Sequence, residues 1–310
     1  MRTEPDYRRR RLALAVGVAA IVVAVLIMTV GAGSDDDTAN TATANKPPAP
    51  IELPGGGRTI FPGRLVVGFY GAPQADELGE LGIGSPASAG QRLLAKTKEY
   101  EGAGRKILPA MELIAEIAHR APGDDGLYRG RLDDAIIRRY LRAARKIGAI
   151  LILDIQPGHA SFFAEAQYLE KWLREPDVSL ALDPEWHTPG AVPGTVIGSV
   201  DVREVNAISF WLDALTAELK LPQKLLLVHR FTEDMIVGED QLKPRENVAV
   251  TVNVDGFGGR EIKIAKYKEF AQRAPGLHNG FKLFFREDTD LLPPARVLRL
   301  KPQPEIIVYE

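Results

Sequence analysis

The chain contains no cysteine among its 310 residues. Disulfides, thiolate catalysis, iron–sulfur clusters, cysteine-ligated zinc and a lipidated-cysteine anchor are therefore excluded. It also lacks an excess of either charge, since 39 Lys and Arg residues face 41 Asp and Glu residues and the net charge is -2. Five arginines fall within the first eleven residues, which leaves 34 basic against 39 acidic residues in the remainder. This mildly acidic body is unlike a nucleic-acid-binding protein, which needs a concentrated basic surface.

Signature motifs of several enzyme classes are also missing. The chain has no Gly-x-Ser-x-Gly segment, so a serine hydrolase of the usual α/β type is not supported, and it has neither a P-loop nor the protein-kinase motifs. Three histidines, His159, His187 and His229, lie in or beside the strand-like segments described below. They show no His-x-His or His-Glu-x-x-His spacing, so we expect neither a metal ion nor another cofactor.

The N-terminus combines a basic cluster with a long apolar run. Residues 8–11 are all arginine, and the 22 residues of the segment 12–33 are uncharged and dominated by Ala, Val, Leu and Ile. At about 1.5 Å per residue, a helix of this length spans a hydrocarbon core of roughly 30 Å. The positive-inside rule places residues 1–11 in the cytoplasm. We therefore predict a single-pass anchor in the lipid bilayer over residues 12–33. Cleavage of a signal peptide near Val30-Gly31-Ala32 is the alternative.

A polar, proline- and glycine-rich segment follows over residues 34–62. It includes Lys46-Pro47-Pro48-Ala49-Pro50 and three consecutive glycines at positions 55–57. We expect such a composition to bury no apolar surface, so we predict a flexible linker. Residues 63–310 then form one folded domain without an internal repeat. Because the anchor precedes it, we expect this domain to be extracytoplasmic and close to the cell membrane.

Eight short apolar segments alternate with amphipathic, helix-like segments in the folded domain. The strand-like segments cover residues 65–70, 107–111, 149–154, 178–183, 225–229, 248–254, 281–285 and 306–309. They are nearly continuous apolar runs, as expected of parallel strands that are covered on both faces. Helix-like segments include residues 133–147, 160–173, 202–219 and 261–273. This alternation predicts an α/β fold of the (β/α)8 TIM-barrel type. The alternative is an open doubly wound sheet, although no Gly-rich phosphate-binding fingerprint follows the first strand.

Polar side chains follow the carboxyl ends of these segments, where TIM barrels place their functional residues. The candidates are Tyr70, Glu112, Asp154, Gln156, Asp183, Glu185, His229, Asn253, Asp255 and Lys282. Five of them are carboxylates, and like charges in one cleft raise the free energy unless they are paired or used. We therefore predict a functional cleft at this end of the barrel.

The segment Leu182-Asp183-Pro184-Glu185-Trp186 ends the fourth predicted strand. Residues two apart on a strand point to the same side, so Asp183 and Glu185 are expected to face the cleft together. Two close carboxylates push their pKa values apart, which leaves one of them protonated as a general acid near neutral pH. Trp186 beside them suits stacking on a sugar ring. The alternative is structural: Asp183 and Pro184 end the strand, and Glu185 caps a helix.

This Asp-x-Glu pair at the end of a fourth strand resembles the end of the signature motif of the chitinase-type (family 18) glycoside hydrolases. The resemblance implies that Glu185 is the acid and that Asp183 orients the N-acetyl group of the substrate, which acts as the nucleophile. Where that family has earlier Asp and Gly residues, this chain has Val178, Ser179 and Ala181. The chain as a whole also resembles membrane-anchored actinobacterial proteins with a glycosidase-like barrel.

The other candidates keep more than one interpretation. Asp154 shares a face with Gln156 and is a second acid, a ligand of a substrate hydroxyl or a structural partner of a basic residue. His229 is a base, a sugar ligand, a metal ligand or a hydrogen-bonded residue of the rim. Asp255 either binds substrate or forms an Asx-turn in its Gly-rich loop. Lys282 is expected to pair with one of the carboxylates.

Two functions from different classes are consistent with these patterns. In the first, the protein is an anchored hydrolase of cell-envelope or extracellular glycan, with Glu185 as the acid and Asp183 or Asp154 assisting. The remaining candidates, together with Trp186, are then assigned to substrate binding. In the second, the barrel is catalytically silent and binds a glycan or a protein, with Tyr70, Trp186 and Phe257 as stacking surfaces. An envelope assembly protein without a small ligand is a third alternative.

Overall fold

The computed structural model describes residues 49–310, in which eight parallel β-strands close into a barrel. Each strand forms at one of the apolar segments predicted from the sequence, so the predicted α/β barrel is confirmed. The strands are β1 (Arg64–Gly71), β2 (Lys106–Ala118), β3 (Ile150–Ile155), β4 (Val178–Leu182), β5 (Lys224–Arg230), β6 (Val248–Val254), β7 (His278–Leu283) and β8 (Ile306–Tyr309).

The barrel closes through its first strand. On one side β1 pairs in parallel with β2, where Tyr70 lies opposite Glu112. On the other side it pairs with β8, where Phe69 lies opposite Tyr309. The remaining strands pair in chain order around the barrel. An open doubly wound sheet would leave two unpaired edges, so that alternative is wrong.

Successive residues of each strand point alternately into the barrel and toward the outer layer. In β1, Val66 and Tyr70 belong to the inner core, whereas Val67 and Phe69 pack with the outer layer. Both faces are therefore buried, which explains why the strands are continuous apolar runs in the sequence. Toward the carboxyl ends, the inner positions carry polar side chains, and these form the candidate site.

Helices cover the outside of the barrel. They are α1 (Pro86–Lys98), α2 (Asp134–Lys146), α3 (Phe162–Tyr168), α4 (Glu170–Leu173), α5 (Val202–Glu218), α6 (Arg260–Phe270) and α7 (Pro294–Val297). Residues 160–173 form two helices that meet at Leu169 rather than the single predicted one. No helix joins β5 to β6, since residues 231–247 form two single 3-10 turns and the two-residue strand Ile236–Val237.

Helix α1 is absent from the segments singled out in the sequence. It begins after Ser85, whose side chain accepts from the backbone N–H of Ser88, and Pro86 occupies its first turn. Both features stabilise a helix N-terminus. They are therefore the local signal from which this helix is predictable.

The predicted basic tail, residues 1–11, and the predicted anchor, residues 12–33, lie outside the described residues. Within residues 49–310, no helix is both long enough and apolar enough to cross a bilayer.

The last part of the predicted linker belongs to the folded domain. Leu53, Ile60 and Phe61 are buried in the inner core cluster of the barrel. The side-chain oxygen of Gln223, just before β5, accepts from the backbone N–H of Ile60 at 2.8 Å. The prediction that residues up to 62 bury no apolar surface is therefore wrong, because three apolar residues scattered among Gly and Pro pack into the barrel.

Candidate functional site

A cleft of about 430 Å³ lies at the carboxyl ends of the strands. Seven of the eleven predicted site residues line it: Tyr70, Gln156, Asp183, Glu185, Trp186, Asp255 and Lys282. The other four are fully buried and contact these lining residues or one another: Glu112, Asp154, His229 and Asn253. The predicted residues therefore form two layers, a cleft wall and a buried layer beneath it.

The turn that carries Glu185 directly follows β4. That strand ends at Leu182, because the proline at position 184 has no N–H to continue the ladder, and Pro184–Trp186 form a single 3-10 turn. The N–H of Gly198 donates to the carbonyl oxygen of Glu185 at 2.7 Å. The expectation that Asp183 and Glu185 share a face of a continuing strand is wrong. The turn nevertheless brings both side chains to the same cleft.

Glu185 has a pKa near neutrality. Burial, assisted by the negative charge of Asp255, raises the pKa of Glu185 to about 7. Burial also raises the pKa of Asp183 well above its usual value, and neighbouring carboxylates add to the effect. The ammonium of Lys282 opposes the rise at Glu185, but its ion pairs in the described residues are with Asp255 and Glu310. Glu185 is therefore available to donate a proton at neutral pH.

Lys282 is a buried cation in the wall of the cleft. Its Nζ lies 2.7 Å from Glu310 Oε2 and 3.4 Å from Asp255 Oδ2, and 3.5 Å from the centre of the Tyr70 ring. Burial alone would lower the pKa of Lys282, but the two carboxylates outweigh it and hold this pKa well above its usual value. The predicted pairing of Lys282 is thus confirmed. Glu310 was missed, although it directly follows β8 as other candidates follow their strands.

Aromatic side chains form the apolar part of the cleft wall. Phe257, in the Gly-rich loop after β6, is 64% exposed and contacts Phe284 edge to face, with ring centres 6.0 Å apart. Trp186 is partly exposed on the side of Glu185. Such surfaces suit the apolar face of a sugar ring. Tyr70 does not offer one, because only 3% of it is exposed and the ammonium of Lys282 covers its ring.

His229 lies between two carboxylates in the buried layer. Its Nε2 is 2.8 Å from Glu112 Oε1, and its Nδ1 is 3.0 Å from Asp255 Oδ2. The side-chain nitrogen of Asn253 lies 3.4 Å from Nδ1. Burial alone would lower the pKa of His229, but the two carboxylates outweigh it and raise this pKa well above its usual value. The imidazole therefore links the buried Glu112 to the cleft wall.

Asp154 contacts the cleft wall through Tyr70. The hydroxyl of Tyr70 donates to Asp154 Oδ2 at 3.0 Å, and the amide of Gln156 donates to the same hydroxyl at 3.3 Å. Burial raises the pKa of Asp154 to about 6. Asp154 and Gln156 thus contact one group, as their spacing predicts.

The two other histidines of the strand ends bind loop carbonyls. His159 Nε2 lies 2.7 Å from the carbonyl oxygen of Ala191, and His187 Nδ1 lies 2.6 Å from that of Ser199. Neither contact involves His229, so the three histidines do not form one cluster.

A close approach of the backbone at Gly198 fixes the Glu185 turn. A Cβ at this position would meet the carbonyl oxygens of Pro184, Glu185 and His187. We expect Gly198→Ala to lower the free energy of unfolding by about 1–3 kcal/mol, measured by urea denaturation, because the turn must move away. Gly63→Ala is the matched control, since nothing lies within 4 Å of its added Cβ. Equal stability of the two variants would contradict this account of the turn.

No protein-family model matches the chain, and no curated protein matches it.

Proposed function

We propose that this protein is a glycoside hydrolase of the cell envelope in which Glu185 is the general acid. The observation that supports the proposal most directly is the position of Glu185 in an aromatic-walled cleft with a pKa of about 7. At neutral pH, a carboxyl group with this pKa is protonated in a large share of the molecules. It can therefore donate a proton and then ionise. Cleavage of a glycosidic bond requires such a donor at the leaving oxygen.

Asp183 is the residue that we assign to orientation of the sugar beside Glu185. It lines the same cleft, only two residues before the acid. Because burial raises its pKa well above the usual value, its carboxyl group is a hydrogen-bond donor to a polar substituent of the substrate. Asp255 is less suited to this role, since His229 and Lys282 already occupy its Oδ2.

The location of the substrate follows from the N-terminal segment. We propose that residues 12–33 anchor the chain in the cell membrane and leave the barrel outside the cytoplasm, as their length and the preceding arginines predict. An anchored enzyme stays within reach of glycans of its own cell envelope. These glycans are therefore the proposed substrates.

The proposal is tested by incubating the full-length chain, purified in detergent, with β-linked N-acetylated and plain oligosaccharides. New reducing ends are then counted. We expect release from at least one of these substrates, lost in the Glu185→Gln variant. If no substrate is cleaved but the chain is retained on an insoluble glycan, the protein is a catalytically silent binding module rather than a hydrolase. That second function is favoured by the exposed ring of Phe257.

Phe257→Ala is expected to weaken glycan binding about tenfold without changing stability. The ring is 64% exposed in the free protein, so its removal leaves the fold intact but deletes roughly 1–2 kcal/mol of apolar contact with a bound sugar. The measurement is the KM for a cleaved oligosaccharide, or the Kd on the Glu185→Gln background. Phe210→Ala is the control, because Phe210 is 66% exposed on α5 and does not line the cleft. Equal affinities of the two variants would show that Phe257 is not part of the binding surface.

A further inference from the structure

Three donor residues meet in the buried layer beneath the cleft. Glu112 comes from β2, Asp154 from β3 and His229 from β5, and all three are fully buried. One potential ligand atom from each lies within 4.8 Å of the other two. Donors around a tetrahedral divalent ion at about 2.0–2.2 Å are roughly 3.3 Å apart, so small side-chain movements suffice to close the set around one ion.

Two carboxylate oxygens in this cluster have no partner. Glu112 Oε2 and Asp154 Oδ1 are buried and form no hydrogen bond within the described residues. A buried polar atom is almost always hydrogen-bonded, and a buried charge is paired or coordinates a metal. The two free oxygens therefore call for a positive group that the hydrogen-bond network of residues 49–310 does not supply.

The other atoms of the cluster are already held in the orientation that metal ligands need. Tyr70 donates to Asp154 Oδ2, which leaves Oδ1 as the free oxygen. Asp255 Oδ2 lies 3.0 Å from His229 Nδ1, so Nε2 is the ring nitrogen that faces Glu112. A histidine that ligates a metal typically donates its other N–H to a carboxylate in this way.

The buried side chains beside the cluster are mainly carboxyl groups. Four buried side chains around the barrel axis are carboxyl groups: Glu112, Asp154, Asp183 and Asp255. One buried ammonium, that of Lys282, lies among them, and it is shared with Glu310. The other buried basic group here is His229, whose Nε2 faces Glu112, so carboxyl groups outnumber basic groups in this layer.

We infer that Glu112, Asp154 and His229 bind one divalent transition-metal ion through one oxygen of each carboxylate and Nε2 of the imidazole. Two oxygens with one imidazole nitrogen match the preferences of Zn²⁺, Fe²⁺ and Mn²⁺, whereas Mg²⁺ and Ca²⁺ favour oxygen ligands alone. This inference goes beyond the proposed function, since the three ligands lie beneath Tyr70 and the acid Glu185 is not among them. The ion would hold three strands together at the base of the cleft.

The metal content of the purified chain tests the inference. Full-length protein is expressed in medium supplemented with Zn²⁺ and Mn²⁺, and bound metal is counted by mass spectrometry after gel filtration in detergent. We expect about one ion per chain in the wild type and a more than tenfold lower content in Glu112→Gln and Asp154→Asn. Asp255→Asn, which loses the group that orients His229, is expected to weaken binding by about 10- to 100-fold.

Glu116→Gln is the matched control. Glu116 lies on β2 like Glu112, is equally buried and also has unpartnered oxygens. Its neighbours, however, are the guanidinium groups of Arg129 and Arg131, which it shares with Glu165. We expect this variant to carry the ion as the wild type does. Metal-free wild type, or equal metal content in Glu112→Gln, Asp154→Asn and wild type, would overturn the inference.

A second measurement tests the metal site in the wild-type protein, so it does not depend on whether the variants fold. Wild-type protein grown with Co²⁺ should show the visible d–d absorption of cobalt bound to nitrogen and oxygen, and its absence would overturn the inference. Glu185→Gln should carry the same metal content as the wild type. Glycan cleavage by a metal-free chain would then overturn the metal site alone, and a metal-bound chain without cleavage would overturn the proposed function alone.

Discussion

Glu185→Gln is expected to lower the rate of glycan cleavage by about 100- to 10,000-fold, the usual effect of losing a general acid. Glutamine has nearly the same shape but carries no acidic proton, so binding and fold should persist. The loss should appear in kcat, with KM within about threefold of the wild type. Initial rates with the best oligosaccharide of the panel provide the measurement.

Glu287→Gln is the control for this variant. Glu287 lines the same cleft but is exposed to solvent, so its replacement should leave the rate within about twofold. If both variants lose the same small amount of activity, Glu185 is one of several charges in the cleft rather than the acid.

The pH dependence of the rate gives a second signature of Glu185. The groups that act on its carboxyl are Asp183 on its own turn, His229 on β5, Asp255 after β6, Lys282 on β7 and Glu310 after β8. Burial and the net effect of these neighbouring charges raise the pKa of Glu185 to about 7. The acid is protonated below this pH, so kcat should fall about tenfold per pH unit above pH 8. A rate that rises with pH across this range would contradict the assignment.

Lys282→Met is expected to have the largest effect on stability, a loss of about 3–5 kcal/mol in the free energy of unfolding. Methionine keeps the volume of the side chain but removes the ammonium between Asp255 and Glu310. Glu310 then loses its counter-ion, Asp255 keeps only its contact with His229, and the contact with the Tyr70 ring is lost. Urea denaturation monitored by circular dichroism measures the change.

Lys266→Met separates this effect from a general loss of positive charge. Lys266 also lines the cleft, is partly exposed and takes part in no ion pair in the described part of the chain. Its replacement should change the free energy of unfolding by less than about 0.5 kcal/mol. A Lys282→Met variant as stable as Lys266→Met would show that the buried ion pairs contribute nothing to the fold. In a folded Lys282→Met protein, the pKa of Glu185 should rise further, because Lys282 lowers it.

The barrel was predictable because its strands are signalled locally. Each strand is a short apolar run, and both of its faces are buried, so the signal does not depend on which strands become neighbours. The start of the domain was not predictable in this way. Leu53, Ile60 and Phe61 do not form a run, and their burial depends on the cavity that the closed barrel offers them.

The site was predictable in its position but not in its contacts. The cleft lies at the carboxyl ends of the strands, as the sequence predicts. Asp183 and Glu185 line it even though β4 ends before both of them. The contact of His229 with Glu112 joins residues 117 positions apart. Such a pair is set by the order and stagger of strands around the barrel, which no local pattern in one sequence encodes. For the same reason, the sequence could not predict that Glu112, Asp154 and His229 lie together as one group of metal ligands.

The Glu185 turn is held to its surroundings by the main chain. The N–H of Asp183 donates to the carbonyl oxygen of Ile155, that of Trp186 to Asp183, and that of Gly198 to Glu185. None of these three bonds uses a side chain, so substitutions between Thr188 and Gly198 leave them in place, except at Gly190 and Gly194, whose positive φ disfavours other residues. We therefore expect side-chain substitutions at the other positions of this loop to leave Glu185 at its place in the cleft.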